Sequence, residues 1–446
     1  MNTLAQTTVT SAEQIETSLK AWERYNDEAI WKRLPELREG EKGRLPNWVK
    51  AVTIQMPRTA AALIELDTAQ RTLGPLDPAL KAKLRWVIAH ANHSPYGEAL
   101  AQSDYRRATK SSDDLQVMLA DSSKWPAEDA QAFQFVRELS LNAPQIPDSL
   151  FESLRQKHED RGVAAMVLHT AYGNFQDRLL LGLQVPVEND GTLPPLAVKF
   201  VDGALQRSSV LPPDSGKDET VEGSKSVVDP DPQWTKVSYA ELQKRLEEQR
   251  DRKPRLPVPI WDEVRVKLPA EMTTRPTSIR WSLTTYGYAH ELQIPWTTTT
   301  RTHWAELPSE RIIEESLFWV QTRAVNCNYC MGHCEMLMEV AGLDQPAIAK
   351  RTRLLAETDW AAFPKSEQIA YAYARKLTAK PSELTTKDYE TLEKEFGPRK
   401  AMSIFIWLCR GMYMTRISDG FQLPLERENV FGSHGPPPPT ATPAKS

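Results

Sequence analysis

The stretch GNFQDRLLLGLQVP at residues 173–186 returns as GMYMTRISDGFQLP at residues 411–424, with Gly, Arg, Gly, Gln and Pro at matching places. Shifting the chain by 238 positions lays the whole segment from Pro126 to Glu188 on Pro364 to Glu426 without a gap. Further upstream a shift of 233 positions matches five residues of each copy: Leu84, Trp86, Val87, Ala91 and Tyr96 fall on Leu317, Trp319, Val320, Ala324 and Tyr329. Such self-similarity indicates an internal duplication, with a five-residue difference in length between the two blocks.

The apolar residues of each copy recur at helical spacing, and extended alternating runs are scarce. Two such helical sets are Ile369, Ala370, Tyr373 and Leu377, and Met402, Ile404, Phe405 and Leu408. We therefore predict an all-α protein with two tandem helical-bundle copies, at residues 21–190 and 259–432. The remaining tail, 433–446, is rich in proline and is predicted to be disordered.

Residues 191–258 lie between the copies and are predicted to be a linker or insertion that is partly disordered. Its central part, Leu211 to Trp234, is rich in Pro, Asp, Ser, Gly and Lys and has little apolar surface to bury. Ser238 and Glu241 then form a capping-box pattern, which predicts a short helix that ends before Pro254.

The composition excludes several classes of protein. In 446 residues, 40% are hydrophobic and 26% are charged, as in soluble globular proteins. The net charge of −4 comes without long runs of one sign, so we expect no nucleic-acid partner. No apolar run has the roughly 18 residues of a membrane span, and Met1 to Lys20 is polar, without the apolar stretch of a secretory signal. With only four cysteines, this favours a reducing, cytoplasmic location.

The sequence CNYCMGHC at residues 327–334 contains three of those four cysteines. The spacing of Cys327 and Cys330 suits either a redox dithiol or half of a metal site. The 233-residue shift pairs the three cysteines of this cluster with residues that carry no sulfur, namely Ser94, Gly97 and Ala101. Only the second copy can therefore carry out thiol chemistry, and the first is expected to pack against it or shape its site.

Asn326 precedes the cluster and is a favoured N-cap residue, so we predict that a helix begins there. The positive end of a helix dipole stabilises thiolates, which would favour ionisation of Cys327 and Cys330. Cys334 follows Cys330 by four residues, so all three sulfurs are expected on one face, with His333 beside them.

This pattern resembles the alkylhydroperoxidase D-like and carboxymuconolactone decarboxylase family, whose active members carry a glutamate, a Cys-x-x-Cys pair and then a histidine. The resemblance covers roughly 44–188 and 261–429. It rests on three features: the tryptophan-bearing helix before the cluster, the Asn-Cys-x-Tyr-Cys-x-Gly-His motif, and the Gly-Phe-Gln-Leu-Pro motif at the end of the copy. It implies a compact all-α bundle that assembles into a homo-oligomer.

The resemblance further implies that Cys330 attacks a hydroperoxide or disulfide substrate and that Cys327 resolves the sulfenic acid as a disulfide. Electrons would come from an external dithiol, and no cofactor is expected. The glutamate of the family falls on Glu315, twelve residues before the first cysteine. In one unbroken helix that separation would span about 18 Å, so Glu315 reaches the thiols only if the chain turns before Asn326.

This sequence differs from the family pattern at the histidine. Cys334 occupies the position of the family histidine, and the nearest imidazole is that of His333. Either His333 takes over proton transfer, or Cys334 acts as a third redox thiol. The sequence leaves both open.

Three other interpretations stay open. The cysteines could be small apolar groups of the core. Cys327, Cys330, His333 and Cys334 could bind zinc in a metal-binding or redox-sensing scaffold, although their spacing on one helix is unfavourable. The family name also allows a lactone decarboxylase, which does not need a Cys-x-x-Cys pair. Without the resemblance, Glu315 would be interpreted as part of a solvated helix face.

Overall fold

The computed structural model describes residues 26–201, 226–228, 234–308, 310–357 and 360–432. Helices dominate it, which confirms the predicted all-α class. The helices up to residue 182 are α1 (Asp27–Trp31), α2 (Asn47–Gln55), α3 (Pro57–Thr72), α4 (Pro78–Ala91), α5 (Pro95–Thr109), α6 (Leu115–Leu119), α7 (Ala130–Leu141) and α8 (Asp148–Gly182).

The later helices are α9 (Tyr239–Arg250), α10 (Trp261–Arg265), α11 (Arg280–Glu306), α12 (Arg311–Val325), α13 (Asn328–Val340), α14 (Gln345–Ala356), α15 (Lys365–Ala379), α16 (Thr386–Phe396) and α17 (Pro398–Gly420). Short 3₁₀ turns lie at Ser122–Lys124, Ala143–Gln145, Trp234–Lys236, Ala270–Met272 and Pro381–Glu383.

One small antiparallel pair joins β1 (Leu37–Glu39) to β2 (Lys199–Phe200), with Leu37 opposite Phe200. Phe200 is buried. The pair therefore attaches the segment that follows the first helical set to the start of that set.

Helix positions recur at the two sequence shifts. Helices α4 and α5 correspond to α12 and α13 at 233 residues, and α8 corresponds to α16 and α17 at 238 residues. Positive φ angles recur at three matched pairs: His93 (55°) and Asn326 (58°), Glu159 (60°) and Gly397 (76°), and Gln184 (50°) and Gln422 (54°). These correspondences support our interpretation of two copies.

The two halves share a core in which α8 packs on α17 and α3 packs on α11. Two glycines permit the close approach of α8 and α17. A Cβ on Gly182 would lie 2.3 Å from a ring carbon of Phe405, and one on Gly420 would lie 2.7 Å from Val167. These two contacts are related by the 238-residue shift, so the halves meet through equivalent surfaces.

Much of the predicted linker, 202–225 and 229–233, lies outside the described residues, as does the tail 433–446. Ser238 caps α9 as predicted, because its Oγ accepts the Glu241 N–H at 3.2 Å. Trp234 departs from the prediction of an unpacked connection. It is buried, and its Nε1 donates to the Leu355 carbonyl at 3.1 Å.

Among the described residues, no helix is both long and apolar enough to cross a membrane.

Candidate active site

The chain reverses direction between α12 and α13, immediately before the cysteine cluster. Asn326 has φ 58° and ends α12 in the left-handed conformation that asparagine tolerates well. The prediction that Asn326 is an N-cap was therefore wrong, and Cys327 takes that place. Cys330 lies in the first turn of α13, and α13 packs against α12, so Glu315 is brought back toward the cysteines as the resemblance required.

A cavity of about 280 Å³ lies against this turn. Cys330 and His333 of α13 and Glu315 of α12 all line it. The other walls come mainly from α11, α17 and the segment before α11. Three of the predicted site residues therefore face one cavity, while Cys327 and Cys334 do not contribute to its lining.

Cys330 is 2% exposed, and its Sγ lies 3.1 Å from the Ser418 Oγ. The Ser418 hydroxyl donates to the Met414 carbonyl at 2.8 Å, so it accepts from the Cys330 thiol. If the thiol ionises, the hydroxyl can rotate and donate to the sulfur instead. Ser418 thus offers a partner to Cys330 in either protonation state.

Cys327 lies behind Cys330 and is fully buried. Its Sγ is 3.9 Å from the Thr415 carbonyl oxygen, and both cysteines are free thiols. Burial raises the pKa of Cys327 well above its ordinary value, with further contributions from the neighbouring Cys330 and the charge of Asp419. The expectation that the helix dipole would favour a Cys327 thiolate was wrong, because desolvation outweighs it.

Cys334 is also fully buried, beside Glu315. Burial raises the pKa of its thiol well above the ordinary range, and the negative charge of Glu315 adds to that rise. A thiol in these surroundings is a poor nucleophile at neutral pH.

Glu315 is completely buried, which excludes a solvated helix face. Its Oε1 accepts from Arg311 at 3.0 Å, while its buried Oε2 has no hydrogen-bond partner among the residues that the structure describes. Burial raises the pKa of Glu315 to about 7, although the positive charge of Arg311 opposes the rise. A carboxyl that titrates near neutral pH can both accept and donate a proton.

His333 is held by a buried carboxylate, with its Nε2 2.7 Å from Glu426 Oε2. The other oxygen of Glu426 accepts from the Tyr329 hydroxyl at 2.9 Å and from the Arg280 N–H at 2.8 Å. Burial raises the pKa of Glu426, but the charge and hydrogen bond of His333 and the Arg280 N–H outweigh it and lower the pKa overall. Glu426 therefore fixes the orientation of the His333 ring.

The first half contains the same carboxylate arrangement without the histidine. Glu188 Oε1 accepts from the Tyr96 hydroxyl and from the Asn47 N–H, both at 2.7 Å. Leu100 stands at the position that corresponds to His333. The tyrosine and glutamate are thus common to both halves, and the imidazole belongs to the second alone.

A buried ion pair fills the place in the first half that corresponds to Cys330. Arg85 and Asp177 pair there at 2.5 Å, and a Cβ on Gly97 would lie 2.5 Å from Asp177 Oδ1. The cavity beside Arg85 has a volume of only about 20 Å³. The space beside this ion pair is therefore much smaller than the cavity of about 280 Å³ beside Cys330.

Sequence reasoning missed Ser418, Asp419 and Glu426 as members of the site. Burial raises the pKa of Asp419 to about 7, and its charge acts on Cys327. Glu426 could have been found, because the repeat aligns it with Glu188 just as it aligns the two tyrosines. Asp419 could also have been noticed from the sequence, because the 238-residue shift places this acidic residue opposite the apolar Leu181.

In the part of the chain that the structure describes, no group of three His, Cys, Asp or Glu side chains is arranged to hold a metal ion. Comparisons with models of known protein families and with curated proteins give no match.

Proposed function

We propose that the protein is a thiol-dependent peroxidase or disulfide oxidoreductase in which Cys330 is the attacking thiol. The observation that carries this proposal is the shared cavity: of the three clustered thiols, Cys330 lines it, together with Glu315 and His333. Cys327 lies directly behind Cys330, within the same turn of chain. A nucleophile, a resolving thiol and proton-transfer groups are thereby adjacent.

In the first step the Cys330 thiol passes its proton to a cavity base, and the thiolate sulfur attacks the terminal oxygen of a hydroperoxide. The S–O bond forms as the O–O bond breaks, which yields a sulfenic acid and an alkoxide. The alkoxide takes a proton and leaves as an alcohol. Glu315 suits this exchange because its pKa of about 7 allows either direction of transfer.

In the second step the Cys327 sulfur attacks the Cys330 sulfenic sulfur, the S–O bond breaks and water leaves. Cys327 must lose a proton, and burial holds its pKa high. Asp419, beside it, has a pKa of about 7 and is the candidate acceptor. The product is a Cys327–Cys330 disulfide.

An external dithiol then supplies two electrons and two protons and leaves as its own disulfide. Cys327 is fully buried, whereas Cys330 lines the cavity, so thiol exchange would begin at the Cys330 sulfur. This accessibility favours a donor that can insert a slender dithiol group into the cavity.

His333 is favoured over Cys334 as the replacement for the family histidine. It lines the cavity and is oriented by Glu426, while Cys334 lies outside the lining and has a raised pKa. A cytoplasmic location and a homo-oligomeric state belong to the same proposal and rest on the few, unpaired cysteines and on the family resemblance.

The test is intact mass and peptide mapping of the reduced, chelator-treated protein before and after one equivalent of cumene hydroperoxide, with zinc measured before chelation. The proposal expects rapid loss of two hydrogens, mapped to Cys327 with Cys330. Cys330→Ser should abolish the reaction, Cys327→Ser should leave a trapped sulfenic acid, and Cys409→Ser, a buried thiol outside the cluster, should change nothing. Unreactive thiols together with stoichiometric zinc would refute the proposal in favour of a metal site.

The same variants distinguish a lactone decarboxylase from a thiol-dependent peroxidase. Decarboxylation that persists in Cys330→Ser would show that the cavity works without the thiol.

A further inference from the structure

Aromatic side chains form most of the apolar wall of the Cys330 cavity. Those that line it are Trp261, Trp281, Tyr286, Trp296, Trp304, Phe318, Tyr329, Trp407 and Phe431. Flat, rigid rings on several sides favour a ligand that is itself flat and apolar over most of its surface. The volume of about 280 Å³ lies near the lower end of the range for small-molecule sites, which favours a compact ligand.

Four arginines line the same cavity. Arg311 pairs with Glu315 at 3.0 Å and lies 3.7 Å from Glu314. Arg410 packs over the Trp304 ring, 4.7 Å from its centroid. These two form the inner part of the basic lining.

Arg275 and Arg301 are the other two arginines, and both are half-buried. Within the described residues, neither has a carboxylate at ion-pair distance. The Arg275 NH1 group is buried and makes no hydrogen bond to any described residue. A half-buried guanidinium without a partner is suited to bind an anion from outside the protein.

Two uncharged hydrogen-bond donors in the cavity wall are also unpaired. Thr300 Oγ1 and Trp304 Nε1 are buried and have no hydrogen-bond partner in the described part of the chain. Thr297, Thr300, Arg301 and Trp304 follow at helical spacing along α11, and all four line the cavity. Buried donors are normally paired, so these unpaired ones indicate an acceptor that a ligand would supply.

The charges of the lining residues favour an anionic ligand. Four arginines face two lining carboxylates, Glu271 and Glu315, with a third, Glu314, next to Arg311. One positive charge is left over when all three carboxylates are ionised, and two are left over when Glu315 is protonated. A carboxylate supplies one negative charge, and its two oxygens match the planar fork of a guanidinium.

We infer that the Cys330 cavity binds a compact aromatic carboxylate, with its ring among the tryptophans and its carboxylate at Arg275 and Arg301. As a statement about substrate this rests on the proposed function, because the substrate would then be a hydroperoxide that carries an aryl carboxylate. As a statement about binding it can be tested without any reaction.

The binding test uses 4-isopropylbenzoate and its neutral amide, 4-isopropylbenzamide, titrated into the reduced full-length protein by calorimetry. The carboxylate should bind about tenfold or more tightly than the amide, as expected for a charge-assisted contact. Arg301→Gln and Arg275→Gln should each remove most of that preference without changing amide affinity, and Arg301→Lys should restore part of it. Arg245→Gln, a half-buried arginine outside this cavity, is the matched control.

Equal affinities for acid and amide, or a preference that survives both glutamine substitutions, would overturn the inference. Reduction kinetics distinguish a failure of the carboxylate site from a failure of the proposed peroxidase function. Cumene hydroperoxide is compared with its para-carboxylate: a lower KM for the carboxylate supports both proposals, and equal kinetics refute the carboxylate site while leaving a peroxidase. Selective carboxylate binding without reduction of either peroxide refutes the peroxidase alone.

Discussion

Glu315→Gln tests the central electrostatic feature of the site, a buried carboxyl whose pKa is raised from 4.5 to about 7. Glutamine has nearly the shape of the protonated glutamic acid. The folded state favours that protonated form, so the stability it contributes is fully present below pH 4.5 and is lost as the pH rises through 7. The variant does not titrate and should not show this loss.

The size of the effect follows from the shift. A difference of 2.5 pKa units corresponds to about 3.4 kcal/mol at its limit, with about 1.36 kcal/mol per unit. Between pH 5 and pH 8 about 2.5 kcal/mol of that difference should appear. Relative to the wild type, Glu315→Gln should therefore gain about 2.5 kcal/mol in unfolding free energy over this interval.

Urea unfolding of both proteins at pH 5, 6, 7 and 8 measures the difference directly, and subtracting the wild type cancels other titrating groups such as Asp419. Glu310→Gln is the control, because Glu310 pairs with Lys400 at 3.1 Å near the surface, where such a pair contributes less than about 1 kcal/mol. A difference between Glu315→Gln and wild type that stays constant from pH 5 to pH 8 would show that burial does not hold Glu315 in its neutral form.

Three further predictions concern other parts of the fold. Gly97→Ala should destabilise the protein by about 1–3 kcal/mol in urea unfolding, since the new Cβ would overlap Asp177; an unchanged midpoint would contradict this packing. Asp419→Asn should gain stability relative to wild type between pH 5 and pH 8, because the pKa of Asp419 is raised to about 7; thermal unfolding that shows no such gain argues against its burial. Tyr329→Phe should cost about 1.5–3 kcal/mol in unfolding free energy at pH 7 through the lost hydrogen bond to the Glu426 carboxylate, and a neutral substitution would mean that water replaces the hydroxyl.

The fold class was predictable because it depends on patterns that are local in sequence. Helical spacing of apolar residues gave the all-α class, and Ser238 was found as a cap from its own side chain and the helix after it. Asn326 shows the limit of local reasoning. Asparagine suits both an N-cap and a left-handed C-cap, and the contacts of α12 with α13 decide between them.

The candidate site was predicted in part. Cys330, Glu315 and His333 were named from the sequence, and they line one cavity. Ser418 and Asp419 were missed. No motif marks Ser418, and the contrast of Asp419 with Leu181 does not reveal that α17 packs it against the thiols of α13.

The sequence by itself indicated an internal repeat, predicted the helical class, and placed all four cysteines in the second half. Those properties depend on residue identity and spacing. Only the tertiary structure decided which thiol meets the cavity and which carboxyls titrate near pH 7. Burial sets both, because removal of water changes the free energy of an ionised group by several kcal/mol, and burial is a property of distant segments packing together.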